Sequence, residues 1–417
     1  MDAKNILIAQ SGGPSSAINA SIAGATARAM GSEKIKHVLG AVNGMKGFLD
    51  RKIINVSKQI TSSDDFDLLI HTPAQALGSS RYKLPKDEES YERVLGILKE
   101  YNIGYFFYNG GNDSMDTVAR LANYFKLRGE EIAVIGIPKT IDNDLMETDH
   151  TPGFGSAARY VAASVGEVYL DTIVYPKPAV TIVEIMGRNA GWLTAASALA
   201  RQGGIPAPQL IYLPEVIFDP ENFVKRVQTQ VEKDMHVVVA VSEGVRLADG
   251  SYLSIMGDVL DMFGHKTLGG AALALEEMVK TGVKIENLKT RTIQFSSLQR
   301  SAAHLASMTD LNESYECGYL AVEAALNGMT GVMVAIHRTG NNPYITYFDY
   351  ADVNLVANKE KHVPREWITM KGTNVSQEMI DYLLPLVRGD ASERMEGGLP
   401  RFFRFNHSDT VSPDEVS

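Results

Sequence analysis

Tyr105-Phe106-Phe107-Tyr108 leads into Gly110-Gly111-Asn112-Asp113-Ser114, and Ile132-Ala133-Val134-Ile135-Gly136-Ile137 leads into Pro138-Lys139-Thr140-Ile141-Asp142-Asn143-Asp144. Short, continuously apolar runs that hand over to glycine-rich or polar loops read as buried parallel strands. Open α/β sheets bind ligands at the C-terminal ends of such strands. Paired glycines let a backbone approach an anion closely, and the amides of a following helix start attract negative charge. The second loop places a lysine, a threonine and two aspartates within six residues. That set supplies phosphate charge, a metal-facing carboxylate and a general base, which points to phosphoryl transfer.

The same strand–loop–helix alternation continues to either side. Asn5–Ala9 predicts a strand, Gln10–Ser16 a loop and Ala17–Met30 a helix; Val38–Val42 predicts a second strand. Beyond the two opening stretches come a helix near Ser156–Leu170, then Val180–Ile185 with Gly191–Arg201, and Leu210–Leu213 with Pro220–Lys233. Val237–Val241, Thr292–Phe295 and Val332–Ile336 complete the expected strands. The pattern predicts an α/β fold of doubly wound, mostly parallel, Rossmann-like sheets. No internal repeat or linker marks a boundary, and Thr151-Pro152-Gly153 is the best crossing point between sheets. The tail after Asp390 is charged and contains proline, and its last residues are expected to fray.

At 417 residues the chain has room for two or three domains, and 45% apolar content fits a globular protein. Fifty acidic against forty basic residues give a formal charge of −10 and no large basic tract, which argues against a nucleic-acid partner. The single cysteine, Cys317, excludes an intrachain disulfide. No apolar run approaches membrane-spanning length and no signal peptide precedes the first strand, so a soluble cytoplasmic protein without a membrane partner is expected.

Ser11-Gly12-Gly13-Pro14 follows the first strand and is neither GxGxxG nor a P-loop; alone it reads equally as a plain turn. Asp113 fits either a helix N-cap or a carboxylate facing Mg²⁺. Met186-Gly187-Arg188 also ends a strand, with Gly187 permitting close approach and Arg188 able to grip phosphate. Arg81, Arg291 and Arg300 are too scattered to group by spacing. The nine histidines show no zinc-ligand spacing, and Trp192 and Trp367 read as packing residues.

With Ser11-Gly12-Gly13, Gly78-Ser79-Ser80-Arg81, Gly110–Ser114, Lys139–Asp144, Met186-Gly187-Arg188, Ser242-Glu243-Gly244 and Gln299-Arg300 in this order, the chain resembles the phosphofructokinase family over roughly its first 340 residues. The resemblance implies two similar α/β sheets with the active site in the cleft between them. Residues 1–153 and 299–348 would form the phosphoryl-donor domain. Residues 154–298 and 349–417 would form the sugar-phosphate domain with a C-terminal extension. ATP-using members carry Gly-Gly-Asp-Gly-Ser and Pro-Gly-Thr-Ile-Asp-Asn-Asp. Asp113 and Lys139 each replace a glycine of those patterns, which resembles the pyrophosphate-using branch. Asp113 would sit where the α-phosphate of ATP lies, and two like charges about 4 Å apart repel by about 4 kcal/mol at an effective dielectric of about 20.

The implied reaction is a reversible, Mg²⁺-dependent transfer from diphosphate to the 1-hydroxyl of fructose 6-phosphate, giving fructose 1,6-bisphosphate and phosphate. By the same resemblance Asp142 is the base, supported by Lys139, Asp113, Thr140 and Asp144. Gly12, Gly13, Arg81, Gly111, Asn112 and Ser114 hold the donor, and Asp113, Asn112 and Asp144 hold Mg²⁺. Thr140, Asp142, Met186, Gly187, Arg188, Glu243, Arg291, Ser297 and Arg300 hold the sugar phosphate. Arg291 would reach a second subunit's site, so a homodimer or homotetramer is implied. Three positions depart from the family pattern: Asn112 replaces an aspartate, Ala179 an arginine, and Ser297 a histidine or tyrosine. Val363-Pro364-Arg365-Glu366-Trp367-Ile368 lies in a segment beyond the short bacterial ATP enzymes. The alternatives are ATP as donor, sedoheptulose 7-phosphate as acceptor, and a non-catalytic metabolite-binding regulatory subunit. A lipid or NAD kinase is a further alternative, whose Gly-Gly-Asp-Gly loop resembles only the Gly110–Ser114 stretch.

Overall fold

Strands β1 (Lys4–Gln10), β2 (Ile35–Ala41), β4 (Ile103–Gly110) and β5 (Ala133–Pro138) occupy the apolar runs described above, joined by the short β3 (Ile53–Asn55). With β10 (Val332–Asn341) and β11 (Tyr344–Asp352) they form a seven-stranded sheet in the order β11-β10-β5-β4-β1-β2-β3 in a computed structural model of the chain. The structure describes residues 3–80, 82–253, 270–391 and 394–417. The five inner strands are parallel, whereas β3 and β11 pair antiparallel at the two edges. Each inner strand alternates its side chains between two apolar layers. Leu7, Ala9, Phe106 and Tyr108 face one cluster, and Ile6, Ile8, Phe107 and Ile135 face the other. Burial on both faces is why these runs carry no polar alternation.

The second sheet is four parallel strands in the order β7-β8-β6-β9: β6 (Ala179–Ile185), β7 (Leu210–Tyr212), β8 (His236–Ser242) and β9 (Lys289–Gln294). Its core joins Val180, Ile182, Phe223, Val239 and Leu275. The helix expected over Gly191–Arg201 is α-helical only for Trp192–Ala196, and Ser197–Gly203 continues as a 3-10 helix.

Two compact units result. One comprises Met1–Ser156, Arg300–Glu360 and Arg388–Ser417; the other comprises Ala157–Gln299 and Lys361–Val387. Residues 349–360 and 388–417 therefore belong to the first unit, and the expectation that all of 349–417 goes with 154–298 is corrected: only 361–387 does. Asn5 Nδ2 donates to Val416 O at 2.7 Å, and Val416 is fully buried in the first core. Nor does the end fray as expected. Ser412 and Glu415 form a reciprocal capping box around the short helix Pro413–Val416, which satisfies the amides a frayed end would leave to water.

Candidate active site

In the first sheet the chain leaves β1 toward β2 and leaves β4 toward β5, on opposite sides. The β1 and β4 loops therefore flank a topological switch point, the place where such sheets open a crevice. Ser11 N donates to Asn109 O at 2.8 Å, tying the two loops together. Gly12 has φ +77°, and a Cβ there would lie 3.1 Å from Lys139 Nζ. A Cβ on Gly13 would lie 3.0 Å from Arg300 Nη1. Two cationic heads thus rest directly on the glycine backbone, and Lys139 Nζ donates to Gly13 O at 2.8 Å.

Lys139 is buried, with 3% of its surface exposed. Burial pushes its pKa down to about 8; the Asp142 and Asp144 carboxylates oppose that shift and Arg300 adds to it. The loop carrying those aspartates is fixed from behind. Thr140 Oγ1 accepts from Asp142 N at 3.1 Å, and Thr151 Oγ1 donates to Thr140 O at 2.7 Å. Thr151 N donates to Asn143 Oδ1 at 3.1 Å, and Asn143 holds φ +54°.

Gly111 is the N-cap of helix Asn112–Leu127, so Asp113 is not a cap but lies in the first turn. Its side chain is 78% exposed, with Lys83 Nζ at 3.5 Å. A Cβ on Gly110 would meet Ser114 Oγ at 2.1 Å, so the loop lies tightly on the buried Ser114. Asn112 turns elsewhere: its Oδ1 accepts from Asn358 N at 2.6 Å and its Nδ2 donates to Lys359 O. Asn358 Nδ2 in turn donates to Asp116 Oδ1 at 3.0 Å. Both atoms of the Asn112 amide thus bind the C-terminal extension. Arg81 lies outside the described residues.

The second unit gathers its own set. The loops after β6, β8 and β9 place Arg188, Glu243 and Ser297 at the C-terminal end of one sheet. Gly187 N donates to Glu243 Oε1 at 3.4 Å, and Met186 N donates to Gln299 Oε1 at 3.2 Å. Ser242 Oγ donates to Gly187 O at 2.5 Å; a Cβ on Gly244 would overlap Arg188 O at 1.9 Å. Arg188 itself is exposed. The extension braces this loop too: His362 Nδ1 lies 3.1 Å from Asn189 O, and Trp192 Nε1 donates to Lys361 O at 2.9 Å. Glu215 Oε1 accepts from both Gly191 N (2.8 Å) and Val363 N (3.0 Å). Trp192 and Trp367 pack edge to face at 6.2 Å, as expected of packing residues. Arg291 does not join this set. It sits within β9 opposite Thr181 and pairs with Asp171 at 2.5 Å.

Residues that sequence reasoning missed lie behind the loops. The buried Tyr108 hydroxyl bonds Ser11 near Asp113, and burial raises its pKa. The buried Asp310 accepts from Gly153 N (2.7 Å) and Ser156 N (2.9 Å). The available signal was an acidic residue in the first turn of an otherwise apolar helix stripe.

The phosphofructokinase family model matches residues 5–325. The chain belongs to the phosphofructokinase family. It is 41% identical over 404 residues to the pyrophosphate–fructose 6-phosphate 1-phosphotransferase of Halomonas elongata, covering 95% of each chain. The enzyme of that name from Xanthomonas campestris is 42% identical over 404 residues, again with 95% of each covered. Among solved structures, the pyrophosphate-dependent phosphofructokinase of Nitrosospira multiformis superimposes with a TM-score of 0.88 at 37% identity. That match covers 98% of this chain and 97% of the other.

Proposed function

We propose that this phosphofructokinase transfers a phosphoryl group from diphosphate to the 1-hydroxyl of fructose 6-phosphate, reversibly, giving fructose 1,6-bisphosphate and phosphate. The observation that carries the donor assignment is the buried Lys139 ammonium seated on Gly13 O beside Arg300. The exposed Asp113 carboxylate in the adjoining first helical turn adds to it. Lys139 and Arg300 neutralise the oxygens of a compact diphosphate, while Asp113 repels a donor that continues past its second phosphate.

Asp142 takes the proton of the sugar's 1-hydroxyl as that oxygen attacks the near phosphorus. The new O–P bond forms as the P–O bond to the bridging oxygen breaks, and phosphate leaves with the bond's electron pair. Thr140 holds the Asp142 amide, which fixes the base for the attack. Arg188, Glu243 and Ser297 hold the sugar phosphate, and Arg291 reaches the site of a second subunit. The donor chemistry near Lys139 fits Mg²⁺: Asp113 and Asp144 offer hard carboxylate oxygens. Asn112 Oδ1 already accepts from Asn358 N and keeps one lone pair as a neutral third donor. When bound, Mg²⁺ supplies charge neutralisation for the phosphate oxygens.

The chain acts in the cytoplasm as a homodimer or larger assembly. No helix among the described residues is long and apolar enough to cross a membrane. Leu170, Val174 and Tyr175 are 52%, 62% and 71% exposed at the helix end whose Asp171 holds Arg291, which marks an apolar surface beside β9, the edge of the second sheet among the described residues. The deciding experiment crosses donors (diphosphate, ATP) with acceptors (fructose 6-phosphate, sedoheptulose 7-phosphate) and measures kcat/KM. Diphosphate with fructose 6-phosphate is expected to dominate, and an ATP preference would refute the donor assignment. Asp142→Asn is expected to lower kcat about 10²–10⁴-fold with little change in KM.

A further inference from the structure

His150 is buried, and each ring nitrogen faces a carboxylate: Nδ1 lies 2.8 Å from Asp149 Oδ1 and Nε2 lies 2.6 Å from Glu313 Oε2. Ionised carboxylates only accept, so both contacts are hydrogen bonds only when both nitrogens carry protons. Other elements complete the cluster. Arg338 on β10 has Nη2 at 2.8 Å from Asp149 Oδ1. Tyr344 on β11 donates its hydroxyl to Glu313 Oε1 at 2.7 Å, and Thr346 adds a 3.4 Å contact to that oxygen. Asp310 and the buried Cys317 thiol lie along the same helix as Glu313, Met308–Leu326. Two cations thus balance two carboxylates, which is how a buried charge is tolerated. Burial alone would lower the His150 pKa, but Glu313 and Asp149 raise it, and His150 in turn depresses that of Glu313.

The residue after His150 is Thr151, whose hydroxyl and amide hold Thr140 O and Asn143 Oδ1. Thr140 N donates to Pro152 O at 3.2 Å, and Asp149 N donates to Ile336 O at 2.7 Å. The segment Thr148–Gly153 is therefore laced to the base-bearing loop on one side. On the other it is held by β10 and helix Met308–Leu326.

We infer that His150, as an imidazolium clamped between Asp149 and Glu313, is a positioning residue for the phosphoryl-transfer loop Lys139–Asp144. The inference rests on the reading of Asp142 as the base. His150 touches no substrate and acts through Thr151, Thr140 and Asn143. A displacement of about 1 Å at such a loop costs up to about 10²-fold in rate.

The test is a double-mutant cycle on the full-length enzyme with diphosphate and fructose 6-phosphate. His150→Ala is expected to lower kcat about 10- to 100-fold while both KM values stay within about threefold. In the Asp142→Asn background the same change is expected to cost less than about twofold, because the group it positions is gone. An equal loss in both backgrounds, or an unchanged kcat, overturns the inference. If His150→Ala does not fold, Glu313→Gln runs the same cycle. ¹⁵N spectra of histidine-labelled wild type near neutral pH are expected to show both His150 nitrogens protonated, and a neutral ring overturns the clamp. Near-normal turnover of Asp142→Asn alone removes the base reading. In that case hydrogen exchange decides: faster exchange of the Thr140 amide in His150→Ala upholds the positioning role, and unchanged protection overturns it.

Discussion

Lys139→Met isolates what one buried ammonium does to the fold. The Lys139 pKa falls from 10.5 to about 8, chiefly through burial. That gap, 10.5 less about 8, is about 2.5 pH units and corresponds to about 3 kcal/mol at about 1.4 kcal/mol per unit. Below about pH 8 the folded and unfolded chains both hold the proton, and the fold carries the whole penalty. Between about pH 8 and 10.5 the unfolded chain binds more protons than the folded one, so this residue's contribution to stability rises with pH. Methionine keeps similar bulk and cannot titrate. The lost donor to Gly13 O shifts the variant's stability by a constant, so the diagnostic is the slope. Urea unfolding in metal-free, phosphate-free buffer is expected to show wild type gaining about 3 kcal/mol on the variant between about pH 7 and 10.5. Diphosphate-dependent turnover of the variant should be lost at every pH, while the wild-type kcat/KM for diphosphate, which reports the free enzyme, falls through about pH 8 as the ammonium deprotonates. Parallel stability curves for the two proteins would refute the claim that Lys139 is held charged against burial.

Asp113→Gly with Lys139→Gly is expected to raise ATP-dependent kcat/KM and depress diphosphate-dependent kcat/KM, with Asp113→Gly alone moving ATP use more than Lys139→Gly alone; an unchanged donor ratio refutes charge exclusion. Gly12→Ala puts a side chain at φ +77° and 3.1 Å from Lys139 Nζ, so it should cost about 1–2 kcal/mol in urea unfolding and raise the KM for diphosphate. Wild-type values for both would show that the loop has slack. Arg291→Ala should raise the KM for fructose 6-phosphate about tenfold or more and leave that for diphosphate alone. Mixing it with Asp142→Asn subunits should restore activity if Arg291 serves a partner's site, and light scattering of a fully active monomer would end that assignment.

The inner strands were legible because burial on both faces writes uninterrupted apolar runs, and the loops were legible because their glycines and charges follow those runs directly. Strand β11 was not, since its edge position gives alternating exposure and no strong apolar run. The packing of the tail on the first unit was hidden for a similar reason: it depends on single long-range contacts such as Asn5 with Val416. Within the site, Lys139, Asp142 and Asp144 announced themselves by spacing. His150, Asp310 and Glu313 did not, because a buried charge is recognisable only from the partners that the fold brings to it. Arg291 could be placed near a sugar only by resemblance, and in this chain it faces Asp171.

Asn112 changes what its position means. An aspartate there could accept from Asn358 N but could not donate to Lys359 O, whereas the asparagine does both. The residue that looks like a lost metal ligand is thus a receptor for the chain's own extension, whose Val353 and Val356 are fully buried just upstream. Residue 112 and the segment 353–360 form one structural unit, and reading either alone misses the contact. A chimaera that trades the extension must trade residue 112 with it to keep both hydrogen bonds.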